Sequence, residues 1–156
     1  MDERTLHALE FPRVLERLSD FCLSEAGKEA ALSLRPLDDE DSVRAAQHLY
    51  DEMRSWLAEG DFSPVSFPDI SGLLNHVRSH ADPLLDMDGL WALKETLGLA
   101  RRTVQSIHAG AERRPLLDAL ACSLPLPDLT LSALFRCVGD DGYLKDESSP
   151  GLMLVR

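Results

Sequence analysis

Apolar residues recur along this chain at the three-and-four spacing of a helix, and almost nowhere with the alternation of a strand. Leu6 and Leu9 predict a short first helix with Thr5 as its cap. Pro12 suits the first turn of a second helix, which carries Val14, Leu15, Leu18, Phe21 and Cys22 on one side. Ser24 is the expected cap of a third helix that runs to Leu34 and is closed by Arg35-Pro36; Gly27 in its first turn allows close packing. Asp38, Asp39, Glu40 and Asp41 set a capping acceptor and negative charge at the positive end of a fourth helix, with Asp38 as the acceptor. The stripe Val43, Ala46, Tyr50, Met53, Leu57 then predicts its buried face, and Gly60 its stop.

The stretch DFSPVSFPD, residues 61–69, reads as a loop. Beyond it Ile70, Leu73, Leu74 and Val77 predict the inward side of a fifth helix, broken at Asp82-Pro83. The longest helix should start near Asp88 and end at Gly110, with Leu90, Leu93, Leu97, Ala100, Val104 and Ile107 forming a narrow seam for packing against another helix. Two shorter helices are expected near residues 113–123 and 128–137, divided by Pro125-Leu126-Pro127. Only GYLK, after the turn signal Asp141-Gly142, has the makings of a hairpin arm. The expected fold class is all-α: a bundle of about seven or eight helices, consecutive ones often antiparallel, with a small β element near the C-terminus.

Composition narrows what such a bundle does. With 44% apolar and 28% charged residues, a globular body is expected rather than disorder. The net charge of −11 repels phosphate backbones, so nonspecific nucleic-acid binding by this chain alone is not expected; solubility is the plainer meaning of the acid. The start, MDERTLHALE, has no basic and apolar leader pattern, and no apolar run reaches the roughly 18 residues of a membrane helix. The reading is a soluble cytoplasmic protein without a membrane partner. Cys22, Cys122 and Cys137 lie far apart without CxxC spacing, which argues against a disulfide framework or a thiolate zinc site. Cys22 and Cys122 sit on apolar stripes and read as core thiols.

Catalytic patterns are missing. A phosphate loop needs glycines to free the backbone and a lysine followed by Ser or Thr. Lys28 is followed by Glu29, while Lys94 and Lys145 follow leucines. GxGxxG, GxSxG and HExxH do not occur. His76 and His80, four apart, would share one helical face and could offer a metal two imidazoles, with Asp82 as a third ligand. Against this stand Pro83, which frays that helix end, and the ordinary preference of His for a helix C-terminus. The acids at 38–41 are explained by capping before any cation. Arg101, Arg102, Arg113 and Arg114 are the one basic spot, around the Gly110 bend. They form either a contact patch for a phosphate or a partner's acid, or solvated helix ends. Trp56 and Trp91 fall beside apolar stripes and supply no stacking platform.

The two ends of the chain carry a resemblance. TLHALEFPRVLERLSDFCLSEAGKEAALSLRP, through Leu6, Leu9-Glu10-Phe11, Leu15, Leu18, Ser24-Glu25, Gly27-Lys28 and Leu34-Arg35-Pro36, resembles the start of the MutS family in its Smr-associated branch, which lacks the mismatch-reading front domains. DDGYLKDESSPGL is similar to that family's short β element followed by a helix start at Asp146, Ser149 and Leu152, with departures at Gly139, Lys145, Ser148 and Gly151. The resemblance implies a core region over 1–148 and, over 149–156, the beginning of a truncated lever helix. It implies no catalytic residue and no cofactor in this stretch. ATP and magnesium would be bound by an ATPase domain elsewhere in a parent polypeptide, beyond a clamp. That parent would act as a homodimer on nucleic acid in DNA repair, suppression of recombination or processing of stalled ribosomes. The residues leave two other classes open: a helical adaptor that binds a partner helix, and a metal-assisted hydrolase built on His76 and His80.

Overall fold

The structure, a computed structural model, describes residues 2–60, 62–145 and 148. The lever helix expected over 149–156 and the helix start at Asp146 lie outside the described residues. Among them stand eight helices: α1 (Glu3–Ala8), α2 (Phe11–Ser19), α3 (Glu25–Leu32), α4 (Glu40–Glu59), α5 (Ser71–Ser79), α6 (Met87–His108), α7 (Pro115–Cys122) and α8 (Asp128–Cys137). No strand forms among the described residues, so the expected β element shrinks to one antiparallel bridge between Val138 and Leu144. The Asp141-Gly142 turn still closes it. Gly142 takes φ 79°, Gly139 N–H donates to the Tyr143 carbonyl at 2.7 Å, and Lys145 N–H donates to the Cys137 carbonyl at 2.8 Å.

Local chemistry sets the helix ends. Ser24 Oγ accepts from Gly27 N–H at 3.1 Å, as its position in the sequence predicts. A Cβ on Gly27 would sit 3.0 Å from that same Oγ and 3.5 Å from Cys22 Cβ, so the glycine keeps the cap clear. Two caps fall on a neighbouring residue instead. Asp2, not Thr5, caps α1 by accepting Thr5 N–H at 2.8 Å, and Asp39, not Asp38, caps α4 through Ser42 N–H at 2.7 Å. Gly60 closes α4 in the left-handed conformation, φ 77°. α1 and α2 are joined through Glu10, which adopts φ 54° without being glycine; such a residue costs about 1–2 kcal/mol.

The chain divides into two compact units. The first, Met1–Ser66 with Ser106–Ser123, holds α1 to α4, the end of α6, and α7. Within it α1 packs on α2, α2 on α3, and α4 on α7. Its buried hydrophobic side chains are Leu15, Ala31, Trp56, Ile107, Leu117 and Ala121. The second, Phe67–Gln105 with Leu124–Arg156, holds α5, most of α6, and α8, and buries Leu131, Leu134 and Val138.

The predicted stripes exist, but several do not face a core. On α4 the buried residue is Trp56, one position from the expected Leu57, while Val43, Ala46, Tyr50 and Leu57 are exposed. On α2 only Leu15 is buried; Val14 and Leu18 stay exposed, as does Phe21 just beyond the helix end, to 71%. α5 buries none of its residues. Cys122 is exposed and Cys22 half-buried, which corrects their reading as core thiols.

Candidate functional site

Each unit is built around a cation that is almost wholly removed from solvent, and neither was legible as such in the sequence. In the first unit that cation is Arg114, 2% exposed. It stands at the N-cap of α7, where positive charge opposes the helix dipole. Glu59 ends α4, where negative charge is equally misplaced. The fold brings these two ends together. Arg114 Nη1 donates to Glu59 Oε2 at 2.6 Å, and Arg113 Nη1 reaches the same oxygen at 3.1 Å. Each helix end is thereby supplied with the charge its dipole favours.

Aromatic and backbone groups complete this node. The Arg114 guanidinium lies 5.7 Å from the centre of the Trp56 ring, within cation–π range. Trp56 in turn stacks on Phe62, with centroids 4.1 Å apart and planes at 16°. Gly110 leaves room for the guanidinium: a Cβ there would fall 1.9 Å from Arg114 Nη2. One helical stretch back from Glu59, Glu52 accepts the backbone N–H groups of Leu116 at 3.2 Å and Leu117 at 2.9 Å. α7 has no capping side chain of its own, so a carboxylate of α4 satisfies its first-turn donors. Among the described residues, the buried Arg114 Nε and Trp56 Nε1 meet no hydrogen-bond acceptor.

In the second unit the buried cation is Lys94, 1% exposed, on α6. Its Nζ donates to Asp140 Oδ1 at 2.6 Å, in the turn that the Val138–Leu144 bridge closes. Asp140 itself is exposed. The hydrogen bond from Lys94, and then its charge, hold the Asp140 carboxyl below the usual carboxylate range. Phe135 of α8 lies under both Lys94 and Arg101, at 5.3 and 5.0 Å from the ring centre. Lys145 Nζ donates to the Phe135 carbonyl at 2.9 Å.

The four arginines expected as one basic spot therefore have different surroundings. Arg114 is buried in its node, and Arg113 is tied to Glu59. Arg101 lies over Phe135, and Arg102 is exposed. Arg114 cannot serve a contact patch, because its guanidinium is already sealed against Glu59 and Trp56. The histidine pair also differs from its expected geometry. α5 ends at Ser79, and His80 has extended backbone (φ −121°, ψ 139°), so the two imidazoles do not share a helical face. Their rings tilt together at 4.3 Å, and His80 Nδ1 lies 2.9 Å from the His76 carbonyl. Among the described residues no third metal-ligating side chain converges on them.

These features define an all-α scaffold whose buried polar groups fasten helices to one another. Comparison gives that scaffold its relatives. Over its whole length the chain is similar to Endonuclease MutS2 of Maridesulfovibrio salexigens, 37% identical over 158 residues. It is 36% identical over 156 residues to Endonuclease MutS2 of Solidesulfovibrio magneticus, and 27% identical over 159 residues to that of Alkaliphilus oremlandii. In each case all of this chain is matched, and the chain spans about a fifth of the length of the relative. No protein-family model matches the chain.

Proposed function

We propose that these residues form the N-terminal core region of a MutS-type protein of the branch without mismatch-reading front domains. In this reading the region has no catalytic side chain of its own. It is a helical body that transmits nucleotide state from an ATPase domain to levers and a clamp. The observation that carries the reading is the full-length match to proteins named Endonuclease MutS2 that are about five times as long. Transmission of this kind needs packed elements with defined contacts rather than a catalytic pocket; the ion-paired meeting of α4 and α7 supports that role. ATP and magnesium belong to the parent's ATPase domain, and the parent works as a homodimer on nucleic acid in the cytoplasm, in DNA repair, recombination control or ribosome rescue.

Two measurements test this. Sequencing the gene past codon 156 should reveal a phosphate loop of the GxxxxGK[ST] form in the same frame; its absence would overturn the reading. Purified chain should show no ATP turnover, and no duplex-DNA binding at physiological salt. Reproducible turnover in a contaminant-free sample would refute the mechanical role.

A second reading, a helical adaptor, has one observation in its favour. Leu9, Val14, Leu18 and Phe21 line an open apolar groove along α2, edged by Arg13 and Arg17. Saturable binding of an isolated amphipathic helix to that groove would favour the adaptor.

A further inference from the structure

Three side chains of the first unit, none of them part of the Arg114 node, bring three different metal-ligating donors together. His108 is the last residue of α6, and Asp118 and Cys122 are one turn apart on α7. One ligand atom from each, an imidazole nitrogen, a carboxylate oxygen and the thiol sulfur, lies within 4.8 Å of the other two. His108 Nδ1 and Asp118 Oδ1 are already in direct hydrogen-bond contact. A helix-end ion pair accounts for those two, and Cys122, one turn beyond Asp118 on α7, adds a thiol to the same face. We propose that His108, Asp118 and Cys122 form a binding site for a zinc-like divalent cation.

The donor set matches zinc. Neutral imidazole, carboxylate and thiolate are the groups that bind zinc, and a mixed nitrogen, oxygen and sulfur set disfavours the hard cations calcium and magnesium. Bond lengths of about 2.0–2.3 Å to a tetrahedral zinc put ligand atoms about 3–4 Å apart. The present trio reaches that spacing by small moves. Cys122 closes in, and the His108–Asp118 contact opens to admit the ion between them. His108 and Cys122 are exposed, while Asp118 is half-buried. On binding, the Cys122 thiol gives up its proton to solvent and the metal–sulfur bond forms in its place. His108 binds as the neutral ring. Three protein ligands leave a fourth position for water. The site joins the end of α6 to α7 near the Gly110 bend, so occupancy would staple that corner.

Cobalt(II) is the probe. Titrated into the 156-residue chain, it should bind one equivalent, with a near-ultraviolet sulfur-to-cobalt charge-transfer band and the visible bands of four-coordinate cobalt. Zinc(II) should displace it. Cys122→Ser should abolish the charge-transfer band, and His108→Ala should weaken binding by at least about tenfold, the lower end of what losing even an outer-shell partner costs a metal site. Cys22→Ser, Cys137→Ser and the double variant His76→Ala/His80→Ala should change neither. Circular dichroism of Cys122→Ser should match the parent, since the side chain is exposed. Failure to saturate, a charge-transfer band that survives Cys122→Ser, or binding that follows His76 and His80 instead would overturn the proposal.

Discussion

Removing Glu59 should harm this fold more than removing its buried partner Arg114. Glu59→Ala removes the carboxylate of the Arg114 guanidinium, which is 2% exposed and whose Nε already meets no acceptor among the described residues. Stranding one member of a buried pair costs about 3–5 kcal/mol. The simultaneous loss of the ion pair with Arg113, whose side chain is 60% exposed, adds at most about 1 kcal/mol. Arg114→Met is different. It keeps much of the volume, withdraws the desolvated charge, and leaves Glu59 paired with Arg113 at 3.1 Å and 27% exposed to water. The loss is then the cation–π contact with Trp56 and one ion pair, offset by relief of desolvation, for a net of about 0–2 kcal/mol. A domain of this size is stable by about 5–15 kcal/mol, so Glu59→Ala should remove a large part of the total. Urea denaturation followed by circular dichroism measures both. The reasoning is refuted if Glu59→Ala stays within about 1 kcal/mol of the parent, or if Arg114→Met costs as much as Glu59→Ala.

Other expectations follow from the same contacts. Gly110→Ala should destabilise by about 1–3 kcal/mol, because its Cβ would sit 1.9 Å from Arg114 Nη2 and the clamped guanidinium has no room to retreat; the denaturation midpoint reports it. Glu52→Ala removes the carboxylate that accepts Leu116 and Leu117 N–H, and should cost about 0.5–2 kcal/mol with faster amide exchange in the first turn of α7. The folded-state pKa of Asp140 is depressed by Lys94, so its contribution is complete above the unfolded value of about 3.9 and disappears as pH falls through the lower folded value. Asp140→Asn should therefore be less stable than the parent near neutrality, with the two denaturation curves converging in acid below that range.

The all-α architecture was legible because each segment carries its own period, and most boundaries were legible because caps and stops are local. Ser24, Gly60 and the Asp141-Gly142 turn act on neighbours within three residues, and they do what their chemistry predicts. The inward faces were less legible. Periodicity finds an apolar stripe but not the partner that covers it, so Val43, Tyr50 and Leu57 lie exposed while Trp56 is buried. The Arg114 and Lys94 nodes were hidden for a related reason. Their carboxylates lie 55 and 46 residues away along the chain, and a solitary Arg or Lys reads as surface until the fold supplies its partner. His80 failed as a helical-face ligand because α5 stops one residue short of it. The convergence of His108, Asp118 and Cys122 had no motif spacing, since one ligand comes from a different helix.

The two acids by which α4 holds α7 are Glu52 and Glu59, seven residues apart and so separated by about 10.5 Å along one side of their helix. One grips a side chain at the head of α7, and the other grips the backbone just behind it. A pair of pegs so spaced fits its two holes in a single alignment: sliding α7 by one turn would empty both at once. The same α4–α7 joint can thus carry a push along its length without creeping, and it would let go abruptly rather than by degrees.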